Sequence, residues 1–429
     1  MPVMTITLIV LAAILFIIGA PIAVALGLSS ISVFLIFHPI PTMNMIPQLI
    51  GEASTSFILM AVPMFIFVGN LMERGTMGRN LIDFTTSIVG WMKGGLGHVN
   101  IVGSMLFGGI SGSSVADTAV FGTVLVPRML ENNYPKPYSV AVTLTSSCLS
   151  VIIPPSILMV IASASTNQSV ARALAAGLVP GLTVTALLML VNYYICSKEH
   201  YGVKIHFSLR NVFAKFKSCW TAMIAPLIVL GSIFSGVVTP TEGAAVAVLY
   251  VLVVDGLIFR KLSLSDIWQA AMDSAKLTSG VMFIIASGAI INWIMTFEGV
   301  HQMLASLALQ IPGGRFSFLI LLNIVLLFIG MTIDASPACI IFPPLFLPIA
   351  TSLGIDPAHF LTIMVVGFAV GLTTPPYGVC LFSISSVCNI RVEDVVKAAV
   401  PFYLVLLLCM LLVSFVPQLS LTLPALLGL

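Results

Sequence analysis

Charge is what this 429-residue chain has least of: 7% of its residues are Asp, Glu, Lys or Arg, against about a quarter in a soluble domain. With 59% hydrophobic residues and a mean hydropathy of +1.15, it lacks the polar surface that a water-soluble enzyme needs. A net charge of +2 is too small to draw it to a polyanion, so no nucleic acid is expected as a partner. The seven cysteines lie in or beside apolar stretches and include no CxxC pair, which excludes a disulfide framework and a thiolate metal cluster. GxxxxGK[ST] and HExxH are both missing, so nothing supports nucleotide-driven pumping or zincin proteolysis. No Lys or Arg precedes Arg74, so a secretory leader's basic start is absent and the N-terminus is expected to be the first transmembrane helix itself. What remains is an all-α polytopic protein whose solvent is the lipid bilayer.

Apolar runs long enough to cross roughly 30 Å of hydrocarbon occupy 4–20, 22–37, 57–72, 138–165 and 174–196. A second set follows at 220–238, 242–259, 278–296, 359–386 and 395–416, for about ten crossings. Two more stretches, 98–130 and 316–351, are interrupted midway by Gly108-Gly109-Ile110-Ser111-Gly112-Ser113-Ser114 and by Gly330-Met331-Thr332-Ile333-Asp334-Ala335-Ser336-Pro337. Bare backbone is not tolerated in lipid, so each break is buried in protein or lines a wet cavity. Each stretch is either a pair of complete spans or a re-entrant hairpin. In both cases fifteen of the seventeen Lys and Arg fall on one side, leaving Arg172 and Arg315 on the other. Basic loops stay in the cytoplasm, which puts both termini outside.

The chain also repeats itself. Pro127 and Pro348, Pro154-Pro155 and Pro375-Pro376, and Pro180 and Pro401 stand 221 residues apart. Gly94-Gly95 with Gly313-Gly314, and Pro21 with Pro240, stand 219 apart. Residues 1–196 and 220–429 then form two copies joined by a basic linker at 197–219. Each copy has an amphipathic arm, an interrupted hairpin (98–130, 316–351) and a Pro-Pro-broken helix (138–165, 359–386). Five crossings per copy invert the second relative to the first, the pattern of secondary transporters with a site at the repeat interface. The linker's Lys204, Arg210, Lys215 and Lys217, among Phe207, Phe213 and Phe216, read as an interfacial segment on anionic headgroups.

Asp117 and Asp334 are the ionisable residues placed well inside the membrane, a costly position that marks function. Asp334 also reads as a helix cap and Asp117 as a brace. Around them lie hard oxygen donors suited to a coupling cation: Ser111, Ser113, Ser114 and Thr118 on one tip, Thr332 and Ser336 on the other. The Pro-Pro breaks at 154–155 and 375–376 free carbonyls that suit Na+, and the half-helices restarting after them point N-terminal ends at an anion. Neither tip and neither break carries Lys or Arg, which implies modest affinity and capture of the substrate elsewhere. Gly109-Ile110-Ser111-Gly112 also fits an intramembrane serine hydrolase, but the six histidines fall at span ends or in loops, leaving no base at depth. A channel lined by paired re-entrant loops is the third alternative.

The run Gly108–Asp117 with Pro127, Thr239-Pro240-Thr241-Glu242, Asp334-Ala335-Ser336-Pro337 and the two Pro-Pro breaks resembles the large membrane subunit of tripartite ATP-independent periplasmic (TRAP) transporters, over essentially the whole chain. The resemblance implies a Na+-driven, elevator-type importer in the bacterial inner membrane and no enzyme. Its mobile domain would be the two hairpins and two broken helices, moving against a scaffold braced by arm helices at about 45–56 and 265–276. It further implies a periplasmic substrate-binding protein and a small membrane subunit, expected here as a separate polypeptide. The substrate would be an organic acid, with sialic acid favoured and a C4-dicarboxylate the alternative. Carried over residue by residue, Ser111, Ser113, Ser156 and Asp334 would meet the substrate. Na+ would sit at the tip–break junctions, among Ser114, Asp117, Ser150, Thr332, Ser336, Gly371 and Thr373.

Overall fold

The computed structural model describes residues 3–37, 45–55, 57–74, 77–203, 207–300, 302–303, 306 and 312–429. Residue 56, Lys204, and His38, His206 and His301 lie outside the described residues. Everything ordered into regular structure among the described residues is helical. The elements are α1 Val3–Ile17, α2 Ile22–Phe37, α3 Met45–Ser54, α4 Ala61–Arg74, α5 Met77–Val89, α6 Gly95–Ser111, α7 Ser114–Glu131, α8 Lys136–Ser146, α9 Leu149–Ile152 and α10 Ile157–Ser165. They continue with α11 Val170–Glu199, α12 Leu209–Phe234, α13 Pro240–Val251, α14 Leu264–Phe297, α15 Gly314–Thr332, α16 Ala335–Ser352, α17 Pro357–Thr373, α18 Val379–Val387, α19 Val392–Phe415 and α20 Pro417–Leu426. Among the described residues seven helices are long and apolar enough to cross a bilayer, and 136–152 with 157–165 form a further apolar pair bent by 46° at its break.

Both interrupted stretches fold back on themselves. In the first, the rings of Phe107 and Phe121 lie 5.9 Å apart and Ser104 donates to Asp117 at 3.0 Å. A straight helix would separate positions 107 and 121 by about 21 Å. In the second, α15 runs alongside α17 in the same direction: a Cβ added to Gly367 would meet Leu326, and one added to Gly330 would meet Gly371. The short turn after Ser352 reverses the chain from α16 into α17, bringing Phe342 to 6.4 Å from Phe368. With α16 antiparallel to α17, it is antiparallel to α15 as well.

The halves are upside down relative to each other. The beginnings of α8 and α19 lie together, with Lys136 Nζ donating to the Asn389 carbonyl at 3.1 Å and Tyr138 packed 5.9 Å from Phe402. These two helices run the same way. In contrast α17, the second-half counterpart of α8, runs against α19: Tyr403 donates to the Thr373 carbonyl at 2.8 Å, and Gly367 faces Met410. The halves also exchange partners, α7 packing on α18 as α16 packs on α10.

Three elements depart from the sequence-based expectation. The arm expected at 265–276 and the span at 278–296 are one 34-residue helix, α14, because no proline interrupts them and a Ser263/Asp266 capping box starts it. In the first half α3 is separate, because Pro63 fits only the first turn of α4; a continuous helix would drive its ring into the Leu59 carbonyl. The linker 197–219 is largely absorbed: α11 runs to Glu199, and Ser208 caps α12 from Leu209. Not expected at all was α5, an amphipathic helix on the basic face whose Asp83 pairs with Lys215 at 2.9 Å and Arg128 at 3.3 Å.

The tightest joints use glycine. A Cβ on Gly108 would fall 2.5 Å from the Ser150 Cα, and one on Gly371 would fall 2.5 Å from the Gly330 Cα. These are equivalent joints, each between a hairpin and the broken helix of its own half. Gly371→Ala is therefore expected to destabilise the protein by about 1–3 kcal/mol through overpacking. Gly231→Ala, with nothing within 4 Å of its Cβ, provides the comparison. Unfolding temperature in detergent reads both, and equal values for the two would contradict this packing.

Candidate functional site

Each hairpin tip is built from local chemistry. Gly112 ends α6 in the left-handed region at φ 62°, which glycine adopts freely, and its amide donates to the Gly108 carbonyl at 3.0 Å. Ser113 then turns extended and caps α7, its hydroxyl accepting from the Ala116 amide at 3.3 Å. In the second hairpin Ile333 is extended and Asp334 caps α16, accepting from the Ser336 amide at 3.2 Å. Thus two helix N-termini, each beginning with an oxygen-bearing cap, are brought to one place.

That place is a cavity of about 440 Å³. The tips contribute Ser111, Gly112, Ser113, Ser114, Asp334 and Ser336, and the broken helices contribute Val151, Ile157 and Leu372. The opposite wall is Ile66, Gly69, Asn70 and Glu73 of α4 with Leu277 and Val281 of α14. Gly69 lets the wall touch the tip: a Cβ there would stand 3.0 Å from the Ser111 carbonyl oxygen. The lining holds two carboxylates and no Lys or Arg. It reaches the basic face, where Arg74 follows Glu73 and Lys276 precedes Leu277 in sequence. A second cavity of about 500 Å³ opens toward the other end of α14, lined by Glu52, Asn167, Asn292 and Trp293 among others. In the wall of this second cavity Gly288 of α14 closes on Ile340.

The residues singled out from sequence divide into two groups. Ser111, Ser113, Ser114, Asp334 and Ser336 meet in the cavity. The Ser114 hydroxyl is buried there without a hydrogen-bond partner among the described residues, and Ser111 accepts from the Ser113 amide at 3.3 Å. The others do not line it. Asp117 is fully buried behind the tip, accepting from Ser104 at 3.0 Å and from Ser150 at 2.6 Å. It braces the hairpin against the broken helix of its own half. Ser156 is buried as the cap of α10, accepting from the Met159 amide at 3.2 Å and donating to the Val151 carbonyl. The exposed Thr332 donates back to the Phe328 carbonyl at 3.0 Å. Gly371 is packed on Gly330, and Thr373 donates to the Val370 carbonyl at 2.8 Å while its own carbonyl accepts from Tyr403.

Sequence reasoning missed the α4 wall. Asn70 and Glu73, three residues apart inside an apolar run, share a helix face, and that polar pair was the available signal. Among the described residues no three His, Cys, Asp or Glu gather in a way that holds a transition metal. The donors present are hydroxyls and single carboxylates, which suit a hard monovalent cation. Among the described residues no histidine lines the cavity, so Ser111 has no imidazole beside it there.

Asp117→Ala would remove the acceptor shared by two buried hydroxyls, leaving Ser104 with Ser146 and Ser150 with the Ser104 carbonyl, a loss of roughly 1–3 kcal/mol. The unfolding temperature is expected to drop more for Asp117→Ala than for Asp334→Ala, which removes only a half-exposed cap. The reverse order would show that Asp117 is no brace.

The sequence pattern of the family described as "Tripartite ATP-independent periplasmic transporter, DctM component" matches residues 8–419. The C4-dicarboxylate TRAP transporter large permease protein DctM of Pseudomonas aeruginosa is 37% identical over 404 residues, 94% of each chain. The sialic acid TRAP transporter large permease protein SiaM of Vibrio cholerae is 32% identical over 408 residues, 95% of each chain. Among solved structures, the YdaH transporter of Alcanivorax borkumensis superposes with a TM-score of 0.63, over 91% of this chain and 90% of that one, at 15% identity. That last likeness concerns the fold alone.

Proposed function

Since the chain belongs to the tripartite ATP-independent periplasmic transporter family, as its DctM component, we propose that it imports an organic acid together with Na+ by an elevator movement. It is a multi-pass membrane permease and no enzyme. The family implies a periplasmic binding protein and a small membrane subunit as its partners. The observation that carries the proposal is the cavity itself: oxygen-rich tips from two inverted halves face one wall, with carboxylates and no cation in the lining.

A carboxylate ligand in such a cavity needs positive charge from somewhere. The starts of α7 and α16 supply part of it through their unpaired amides and helix dipoles. Na+ supplies the rest, which makes binding of ion and acid mutually dependent. In this proposal Ser111, Ser113 and Asp334 contact the acid, and Ser156 shapes the break behind them. The Na+ ions draw on Ser114, Asp117 and Ser150 at one junction, and on Thr332, Ser336, Gly371 and Thr373 at the other. The basic face is cytoplasmic and both termini are periplasmic, following the distribution of Lys and Arg. The cavity that reaches the basic face is then inward-open. The hairpins and broken helices form the moving body, while α4, α12, α13 and α14 form the scaffold. A C4-dicarboxylate and sialic acid are equally supported as cargo by the named relatives.

In liposomes carrying the complete transporter, uptake is expected to require both a Na+ gradient and the binding protein; uptake indifferent to either would overturn the proposal. Asp334→Ala is expected to cut uptake about a hundredfold or more while the protein still folds, since the cap alone is worth about 1 kcal/mol. Near-normal uptake in that variant would remove Asp334 from the site.

A further inference from the structure

One wall of the inward-open cavity has no task in the account above. Of its two polar side chains, Asn70 is already committed, its amide donating to Ser274 Oγ at 2.8 Å. Glu73 makes no hydrogen bond or ion pair among the described residues, although it is exposed to the cavity. The cation beside it is shared: Arg74 attracts the Glu73 carboxylate but is itself bound to Asp273 at 2.6 Å and Gln269 at 2.7 Å. Asp273 is moreover a second negative charge near Glu73. Position matters as much as charge. Gly69 is where α4 touches the Ser111 tip, and Glu73 lies one helical turn, about 6 Å, further toward the basic face. Cargo leaving the tips for that face passes it.

We propose that Glu73 is a specificity-determining residue of the cavity: its carboxylate repels the organic anion as it leaves the tips and so drives release toward the basic face. This rests on the transport proposal above. Like charges a few ångströms apart in a confined, poorly screened space repel strongly, and the effect fades beyond a Debye length of about 8 Å. Because α4 belongs to the wall and the tips to the moving body, the repulsion acts only while the tips stand beside Gly69. Loading from the other side escapes it. A carboxylate placed there therefore weakens binding where release is needed without weakening capture, and it draws the departing Na+ the same way.

The experiment uses the complete transporter, with its small subunit and binding protein, in liposomes with the basic face toward the lumen. Succinate and sialic acid are the probes, and the readout is inhibition of uptake by the same acid preloaded in the lumen. Glu73→Gln is expected to lower the half-inhibitory lumenal concentration about fivefold and Glu73→Lys about twentyfold, following charge. Glu73→Asp should stay within about twofold of the native protein, and the external KM within about twofold throughout. A merely structural role for Glu73 would not order the variants by charge. A flat series, or a shift that appears equally in the external KM, overturns the role of Glu73 while leaving the transport proposal standing. Native protein that takes up neither acid under a Na+ gradient overturns both.

Discussion

Where lipid replaces water, every backbone N–H and C=O must find a partner inside the protein, and this constraint governs the rest of the structure. Ordinary spans meet it with continuous helices. The tips and breaks violate it locally, so they have to be enclosed. Two devices enclose them. Side-chain caps at Ser113, Asp334 and Ser156 each satisfy one of the first amides of a restarted helix. Glycine joints at Gly108 and Gly371 bring each hairpin's backbone onto the neighbouring break with no room for a side chain. Ser111, Ser113, Ser114, Asp334 and Ser336 of the tips line one cavity, so the polar groups a transporter needs are among those the fold does not hide.

The two halves solve the same packing problem with different chemistry. In the first, hairpin and broken helix are joined by buried polar contacts: Asn100 to Thr143, Ser104 to Ser146, and Asp117 to Ser104 and Ser150. In the second, the equivalent contacts are apolar, with Leu326 against Gly367 and Gly330 against Gly371. A fully satisfied buried polar network specifies one arrangement more narrowly than an apolar seam does. The first hairpin is thereby held in register with its broken helix. The inverted fold is symmetric; its energetics are not. The asymmetry extends to the caps, where the Ser113 hydroxyl stands in one tip and the Asp334 carboxyl group in the other.

Much of the fold was legible in the chain because its signals are local or periodic. Apolar runs mark spans, Gly-Ser and Pro-Pro clusters mark breaks, and an offset of 221 residues marks the repeat. Legibility failed where the deciding influence is weak or distant. The merger of an arm with a span into α14 turns on the absence of a proline, which is a faint signal. Helix α5 was overlooked because its amphipathic pattern belongs to a surface helix and not to a span. Residue type pointed to the tips that line the cavity, yet it could not say which oxygens face inward. Ser114 and Ser150 look alike in sequence; one lines the cavity and the other donates to Asp117.

By itself, then, the sequence determined that this is a helical membrane protein built from two inverted copies, each with an interrupted hairpin and a proline-broken helix, because hydropathy, breaker residues and self-similarity act along the chain. Only the tertiary structure decided that Asp117 is enclosed while Asp334 faces a cavity, and that Glu73 of a different helix forms the opposite wall. Those outcomes depend on which helix faces which across the interface between the hairpins and α4, and that pairing is set by packing between segments far apart in sequence.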